Sequence, residues 1–288
     1  MTSPLESRER EFDFTQADFD SLRSLAREES GITLGEAKRE LVYGRVSRRL
    51  RALGLSSFAD YRRLLAGSGG QAEMIQFINA VTTNLTSFFR ESHHFEFLRD
   101  QYLRARAADR HGSRRIRIWC AAASTGEEPY SIAISVAEAI PDWERWDIRI
   151  LATDLDTNVL QTCRNGVYDE DRVQGMPKSR LERFFDPGGR KGGKSGKSYR
   201  IKPGIASMIS FRQLNLVHPL PMKGPLDVIF CRNVIIYFDK DLQRALFSRF
   251  APLQRPGDLL FLGHSESLLR VSDAWTLMGK TIYSRNAP

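Results

Sequence analysis

Hydrophobic residues recur at helical spacing in the first part of the chain. In segment 38–54, placing successive residues 100° apart brings four apolar side chains within about 80° of one another: Val42, Val46, Leu50 and Leu53. Thr15 and Ser57 are residues of the kind that begin helices. The segments predicted to be helical are 15–30, 36–53, 57–66 and 71–80. We therefore expect residues 1–80 to form a run of short helices.

From position 115 onward, short apolar strands alternate with helices. The predicted strands are 115–120, 147–154, 225–233, 257–263 and 281–285, and the predicted helices are 127–140, 157–164 and 239–253. Such alternation is typical of a parallel, doubly wound sheet in an α/β domain. A further predicted helix, 91–108, precedes the first strand, and the Gly- and Lys-rich segment 186–198 is predicted to be a flexible loop.

Composition narrows the class of protein. With 41% hydrophobic and 27% charged residues among 288, the chain is neither disordered nor collagen-like. The sequence has no apolar run near the ~20 residues that cross a bilayer, and no apolar secretory signal. Its three cysteines form no C-x-x-C pair, which argues against a disulfide framework and a cysteine zinc site. We therefore expect a cytoplasmic protein that does not insert into membranes.

The net charge of +8 is distributed unevenly. Residues 38–63 hold eight basic and two acidic side chains. On the predicted helix, four cations occupy an arc of about 100° beside the apolar face: Lys38, Arg45, Arg48 and Arg49. This arc is either a solvated helix face or a docking surface for an acidic partner, and the residues alone leave both open.

A loop of small residues, 121–126, follows the first predicted strand and opens a helix. Small side chains let the backbone of this small-residue loop approach a ligand, and the helix start offers free N–H groups. The dinucleotide pattern G-x-G-x-x-G is absent, and Glu127 and Glu128 would repel a pyrophosphate. These acids suit a ligand with a cation and hydroxyl groups, such as S-adenosylmethionine (SAM). The alternative is an ordinary strand–helix turn with a capping box from Thr125 to Glu128.

Polar residues follow two further predicted strands. Asp154 ends one strand, at a place where an acid binds ribose hydroxyls in open α/β sheets, and Asp156 is placed to cap the next helix. Arg232 and Asn233 end an apolar strand abruptly. Strand carboxyl ends line the active crevice of this fold, and a buried Arg or Asn needs a partner, so we expect a ligand there.

Other motifs argue against alternative chemistries. The Walker A match at 188–195 lacks the preceding strand and following helix of a P-loop. His93 and His94 are expected on different helix faces without a third ligand nearby, so no metal site is expected. Cys120 and Cys231 end strands and are expected to be small core residues rather than nucleophiles.

Five segments together resemble one known family. They are 83–90, 119–134, 152–160, 230–239 and 263–267, and in order they resemble the chemotaxis receptor methyltransferases of the CheR family. The resemblance implies an N-terminal all-α domain and a class I SAM-dependent methyltransferase domain, an α/β fold with a doubly wound mixed sheet and a small inserted β-subdomain. The implied domains are a receptor-docking domain at 1–80, a linker and helix at 81–112, and a methyltransferase domain at 113–288 with an insertion at about 167–206.

The same resemblance implies a set of cofactor-binding residues. They are Asn84, Thr86, Arg90, Glu128, Asp154, Asn215, Leu216, Arg232 and Asn233. Asp154 would bind the ribose of SAM, and Asn215 and Leu216 would flank its adenine.

Catalytic and docking residues are implied as well. Arg90 and Tyr237 are the expected catalytic residues, because they would orient the substrate carboxylate or the cofactor. Arg45, Arg48 and Arg49 would dock the acidic methylation helices of chemoreceptors. Some members of the family bind a receptor carboxyl-terminal peptide through the β-subdomain, and the basic loop at 186–198 is either part of such a docking site or an untethered flap. We expect a monomer without a metal.

The implied reaction transfers a methyl group from SAM to glutamate side-chain carboxylates of chemoreceptors. It would form γ-methyl esters in chemosensory adaptation and leave S-adenosylhomocysteine. A carboxylate is already a nucleophile near neutral pH, so the reaction requires no general base. This agrees with the lack of a catalytic His or Cys in the sequence analysis, and it leaves in-line positioning and exclusion of water as the sources of rate.

Two alternative functions remain. The basic charge favours a SAM-dependent RNA methyltransferase, but segment 231–234 lacks an Asn-Pro-Pro-Tyr type element and no basic patch is interleaved with aromatic residues. We therefore expect no nucleic-acid partner. A SAM-binding sensor without transfer activity is the second alternative, and the presence of Asp154, Arg232, Asn233 and Tyr237 argues against it.

Overall fold

The computed structural model describes residues 10–109, 111–190 and 196–287, and the chain divides into two units, Met1–Thr82 and Thr83–Pro288. Within the described residues, no helix combines the length and the apolar character that a membrane crossing needs.

The described residues of the first unit, 10–82, form four α-helices. They are α1 (Gln16–Ser30), α2 (Arg39–Leu53), α3 (Phe58–Ala66) and α4 (Gln71–Val81). The predicted N-caps are confirmed, because the Thr15 and Ser57 hydroxyls accept the backbone N–H groups of Asp18 and Asp60. The predicted helix 36–53 begins with a 3₁₀ turn, Glu36–Lys38, and α2 ends at Gly54 in the left-handed conformation.

The cationic arc on α2 is partly used inside its own unit. Arg49 donates to both carboxylate oxygens of the buried Glu73 at 2.9 and 2.6 Å, and the Tyr61 hydroxyl donates to the same carboxylate at 2.7 Å. Arg45 donates to the carbonyl oxygens of Ala80 and Thr82. Arg48 is exposed. Arg49 therefore stabilises the helical unit, and its charge is not fully available to a partner.

A seven-stranded sheet organises the second unit. Its strands are β1 (Arg115–Cys120), β2 (Asp147–Asp154), β6 (Ile209–Gln213), β7 (Val228–Cys231), β8 (Leu259–Leu262), β9 (Trp275–Gly279) and β10 (Ile282–Arg285). The order is β6-β2-β1-β7-β8-β10-β9; the pairs through β8 are parallel, and β10 is antiparallel to both of its neighbours, β8 and β9. The mixed sheet implied by the resemblance is confirmed, whereas strand–helix alternation alone predicted a wholly parallel one.

A second, antiparallel sheet has the order β3-β5-β4. Its strands are β3 (Val167–Asp169), β4 (Phe185–Arg190) and β5 (Lys197–Ile201). The prediction of a flexible loop at 186–198 is therefore wrong at both ends, because those residues pair as strands around the buried Phe185 and Ser198. Residues 191–195, which contain most of the Walker A match, lie outside the described residues.

The remaining helices cover the sheets or connect them. They are α5 (Ser92–Phe97), α6 (Arg104–Ala108), α7 (Glu127–Ala139), α8 (Thr157–Asn165), α9 (Glu170–Val173), α10 (Lys178–Phe184), α11 (Pro203–Ser207) and α12 (Lys240–Phe250). The single helix predicted at 91–108 is interrupted by a π-helical stretch, Leu98–Leu103. Cys120, Cys163 and Cys231 are buried free thiols, as expected for the first and last of them.

Candidate functional site

Backbone strain concentrates at the carboxyl edge of the main sheet. Seven described residues other than glycine have a positive φ. Four of them lie in segments that carry predicted site residues: Phe89, Glu91, Ser124 and Asn233. They belong to the stretch before α5, to the small-residue loop after β1 and to the turn after β7. Residues persist in this conformation only where surrounding contacts fix them, and such positions cluster at functional sites. The same edge carries most of the site residues predicted from the sequence.

Asp154, at the end of β2, holds the small-residue loop. Its Oδ2 accepts the backbone N–H of Ser124 at 2.7 Å, and its Oδ1 accepts that of Asp156 at 2.9 Å. The residue is only 7% exposed, and burial raises the pKa of its carboxyl to about 6 even though these N–H groups favour the charge. A carboxylate offers about four lone-pair sites, so that of Asp154 can still accept ligand hydroxyls.

Arg232 lies inside the protein and is bonded to three neighbours. Its Nη1 donates to Glu128 Oε2 at 2.7 Å, and its Nη2 donates to the carbonyl oxygen of Arg90 at 2.6 Å and lies 3.3 Å from Glu91 Oε2. The residue is 3% exposed, and its Nε has no hydrogen-bond partner among the described residues. The expected ligand-lining guanidinium is therefore directed mainly at the protein, where its charge is paired.

Glu91 supplies the second negative charge of this network. Its Oε1 accepts a hydrogen bond from Nδ1 of His264 at 3.0 Å. Burial opposes ionisation of the carboxyl, but the hydrogen bond from His264 and the charge of Arg232 outweigh it and lower the pKa of Glu91 to about 2. Glu91 therefore stays ionised at neutral pH and, with Glu128, encloses Arg232. No pattern in the sequence singles out this residue.

The stretch from Asn84 to Glu91 is fastened to the same edge. The Asn84 side-chain amide donates to Asp156 at 2.8 Å, and the Asn84 carbonyl accepts the Ser124 hydroxyl at 3.1 Å. Asp156 also caps α8, as predicted. Arg90 donates through Nη1 to the carbonyl oxygen of Leu85. Thr86, the residue after Leu85, is half-buried. The structure thus brings Asn84 to the ends of β1 and β2, and the Arg90 carbonyl to Arg232 after β7.

Glu266 fixes the turn after β7. Its carboxylate accepts the backbone N–H groups of Gly263, Asn233, Val234 and Ile235 at 2.7 to 2.9 Å, and that of Ile236 at 3.3 Å. Burial raises the pKa of Glu266, but five donors aimed at one carboxylate favour its ionised form. The turn it holds includes Asn233, which has a positive φ.

Tyr237 is half-buried and ends the 3₁₀ turn Ile235–Tyr237. The position of Tyr237 depends on Glu266, because the Glu266 carboxylate accepts backbone N–H groups of this turn. Glu266 lies in segment 263–267 but was not predicted as a site residue, because nothing in a single sequence marks an acid as an acceptor of remote backbone groups.

Asn215 and Leu216 follow β6, the neighbour of β2 in the sheet. The backbone N–H of Leu214 bonds to the Asp154 carbonyl at 3.0 Å, which places this segment beside the end of β2. Asn215 accepts the N–H of Val217 through its side-chain oxygen, and Leu216 is buried. The two predicted adenine neighbours therefore lie next to the strand that carries Asp154.

The two adjacent histidines have a third potential ligand, contrary to expectation. Glu91, His93 and His94 offer ligand atoms that lie within 4.8 Å of one another. The Oε2 atom of Glu91 lies 3.6 Å from Nδ1 of His94. Arg232 lies 3.3 Å from that carboxylate, and a fixed cation there disfavours a second one. The absence of a metal stays a prediction.

The sheet topology and the strand-end acid define a class I methyltransferase. Two family sequence models match the chain: the SAM-binding domain of CheR methyltransferase at residues 84–284 and the all-alpha domain of CheR methyltransferase at residues 17–82. The chain belongs to the CheR methyltransferase family, and it is a SAM-dependent methyltransferase.

Individual relatives resemble the chain over almost its whole length. Chemotaxis protein methyltransferase 2 of Pseudomonas aeruginosa is 46% identical over 96% of this chain and 95% of its own. The chemotaxis protein methyltransferase of Salmonella typhimurium is 42% identical over 99% and 95%, and that of Escherichia coli is 41% identical over 94% and 91%.

Replacing Glu266 with Gln should destabilise the protein. The amide keeps one acceptor oxygen but turns an NH₂ group toward backbone donors, so we expect a loss of about 2–4 kcal/mol in the free energy of unfolding. Urea unfolding measures it. Glu182→Gln, on an exposed carboxylate of α10, is the control and should stay within about 0.5 kcal/mol of the wild type. Equal stability of the two variants would contradict the role of Glu266.

Proposed function

We propose that this chain transfers the methyl group of SAM to glutamate side chains of chemoreceptors, forming γ-methyl esters and S-adenosylhomocysteine. The observation that carries the proposal is the match to three chemotaxis methyltransferases over more than nine tenths of each chain. The carboxyl edge of the main sheet supports it, because that edge assembles an acid and a small-residue loop of the kind that holds a nucleoside.

The described residues fit SAM by the chemistry of their donors and acceptors. Asp154 would accept the ribose hydroxyls through its remaining lone pairs, and the small-residue loop with the start of α7 would adjoin the methionine part. Asn215 and Leu216 would flank the adenine. Asn84, Thr86, Arg90 and Asn233 would complete the lining. Glu128 and Arg232 would act mainly through each other, because both are buried in one ion pair.

The chemistry needs no nucleophile from this chain. A receptor glutamate is ionised near neutral pH and can attack directly. Burial raises the pKa of the Cys120 and Cys231 thiols well above its usual range, so neither is suited to a covalent step. When bound, SAM supplies the methyl group as an electrophile. Arg90 and Tyr237 would orient the receptor carboxylate in line with it and exclude water.

The proposed reaction is tested by incubating the protein with methyl-labelled SAM and receptor cytoplasmic fragments. We expect base-labile label on the fragments, since carboxyl methyl esters hydrolyse in mild base and N-methyl groups do not. A receptor fragment with its methylation glutamates changed to alanine is the control and should stay unlabelled. Label that resists base, or label on RNA instead, would contradict the proposal.

The role proposed for Asp154 has a pH signature. An ionised carboxylate accepts ribose hydroxyls and a protonated one accepts fewer, so the affinity for S-adenosylhomocysteine should fall as pH drops through about 6. Asp154→Asn should bind more weakly by about 1–3 kcal/mol at neutral pH and lose this pH dependence. Calorimetry from pH 5 to 8 would measure both. Asp241→Asn, at an exposed site on α12, should keep the wild-type profile, and a flat wild-type profile would contradict the assignment.

We also propose that the cationic face of α2 docks the acidic methylation helices of receptors. Arg48 is the exposed member of the arc, whereas Arg49 is paired with Glu73 and Arg45 with two carbonyl oxygens. Arg48 therefore provides the clean test, because replacing Arg49 would also leave the buried Glu73 unpaired.

Arg48→Glu should slow receptor methylation at low ionic strength while leaving the affinity for S-adenosylhomocysteine unchanged. The defect relative to wild type should shrink as salt is raised, because exposed charges are screened. The measurement is the methylation rate across a salt series. Arg104→Glu, with the same charge change on α6, serves as the control. If both variants methylate receptors at the wild-type rate, the cationic face of α2 is a solvated helix face and does not dock receptors.

A receptor carboxyl-terminal peptide remains a proposed partner of the second sheet. Because β5 lies between β3 and β4, the outer strands among the described residues are β3 and β4. An extended peptide could add to such an edge through backbone hydrogen bonds and would raise the local concentration of receptor. We likewise propose that the enzyme acts as a monomer in the cytoplasm.

A further inference from the structure

Side-chain contacts join the segment of the second sheet to the small-residue loop. The proposed reaction assigns these contacts no role. The hydroxyl of Tyr168, on β3, donates to the carbonyl oxygen of Thr125 at 2.9 Å. Arg172, on α9, donates through one nitrogen to the Thr125 hydroxyl at 2.7 Å and to Glu127 Oε1. These contacts fall on Thr125, in the loop between β1 and α7, and on Glu127, the first residue of α7.

Glu127 makes the contact with Arg172 costly to lose. The Glu127 side chain is fully buried, whereas that of Arg172 is 40% exposed. The other carboxylate oxygen accepts the Thr125 hydroxyl at 2.7 Å. Arg172 is the cationic partner of this carboxylate among the described residues, and a buried carboxylate without its cation is strongly unfavourable. The position of Arg172 therefore fixes the start of α7.

Tyr168 fits closely against the loop. A side chain at Gly126, which has a φ of +102°, would place its Cβ 2.5 Å from the Tyr168 hydroxyl. Burial raises the pKa of that hydroxyl well above its usual range, so it stays protonated and remains a donor. Its ring also packs edge-on against Phe88 at 4.9 Å between centroids, in the stretch that carries Asn84 and Arg90.

Buried residues next to Tyr168 and Arg172 hold these two side chains against the small-residue loop. Tyr168 lies in β3, whose Val167 is also buried, and Val173 after Arg172 is buried in the main core. Asp154 holds the loop at Ser124 alone, so residues 125–127 depend on a different set of contacts. The loop is thus held at its first part by the main sheet and at its second part by β3 and α9.

We infer that Tyr168 and Arg172 are positioning residues that hold the small-residue loop in its SAM-binding shape. The inference rests on the proposed function, since it assumes that this loop receives the cofactor. Neither residue needs to touch the ligand: each acts through Thr125 and Glu127. The segment that carries the second sheet therefore contributes to cofactor affinity in addition to any role in receptor binding.

The test uses calorimetry with S-adenosylhomocysteine on the full-length protein. Tyr168→Phe removes the hydroxyl and keeps the ring, and Arg172→Gln removes the cation. Each should raise the dissociation constant about 5- to 20-fold, the effect of one lost hydrogen bond or buried ion-pair partner. Arg172→Lys should recover most of the affinity, because it restores the charge beside Glu127. In methylation assays the KM for SAM should rise with little change in kcat, and the KM for receptor should stay constant.

Two matched variants separate positioning from general loss of stability. Tyr199→Phe and Arg200→Gln make the same chemical changes on β5, and Arg200 donates to the Asn165 carbonyl rather than to the loop. Both should bind S-adenosylhomocysteine within about twofold of wild type, well under the 1.4 kcal/mol that corresponds to tenfold.

The outcomes are distinguishable. If Arg172→Gln does not fold, Tyr168→Phe decides, because its ring contacts are unchanged. Equal affinities in Tyr168→Phe, Tyr199→Phe and the wild type would overturn the inference and leave the proposed function intact. A wild-type protein that binds no S-adenosylhomocysteine would overturn the proposed function and the inference together.

Discussion

A positive charge buried at the carboxyl edge of the main sheet constrains the whole site. Arg232 follows β7, where the chain leaves the core, and its guanidinium must be neutralised without water. Glu128 at the start of α7 and Glu91 before α5 supply the charges, and the Arg90 carbonyl supplies an acceptor. Three separate chain segments are thereby drawn to one point, and the predicted cofactor residues lie on those segments or beside them.

Carboxylates also shape the backbone around that point. Asp154 holds the small-residue loop, Asp156 holds α8 and the Asn84 amide, and Glu266 holds five N–H groups of the turn after β7. A carboxylate can accept several hydrogen bonds at once, so one side chain fixes several peptide groups. Backbone groups fixed in this way by the protein's own side chains have less conformational freedom to lose on binding.

The local sequence pattern predicted the helices and strands well, but it predicted the contacts between residues distant in sequence poorly. Helical spacing and N-cap chemistry placed α1 to α4, and apolar runs placed β1, β2, β7 and β8. Asp154 was predictable because a strand end in an α/β sheet is a known ligand position. The partners of Glu91 were not, since His264 is 173 residues away. Strands β4 and β9 were missed because glycines in one and exposed Leu277 and Met278 in the other obscure the alternation of a strand.

The left-handed residues of the site have a consequence for folding order. Phe89, Glu91, Ser124 and Asn233 gain nothing from their own neighbours in sequence by adopting a positive φ. Each makes a contact with a residue remote in sequence: Phe89 with Ser131, 42 positions away, Glu91 with His264 at 173, Ser124 with Asp154 at 30 and Asn233 with Glu266 at 33. Contacts of this kind close late, after helices and adjacent strands exist. A partly folded chain would therefore show nearly native secondary structure while its cofactor site had not yet assembled.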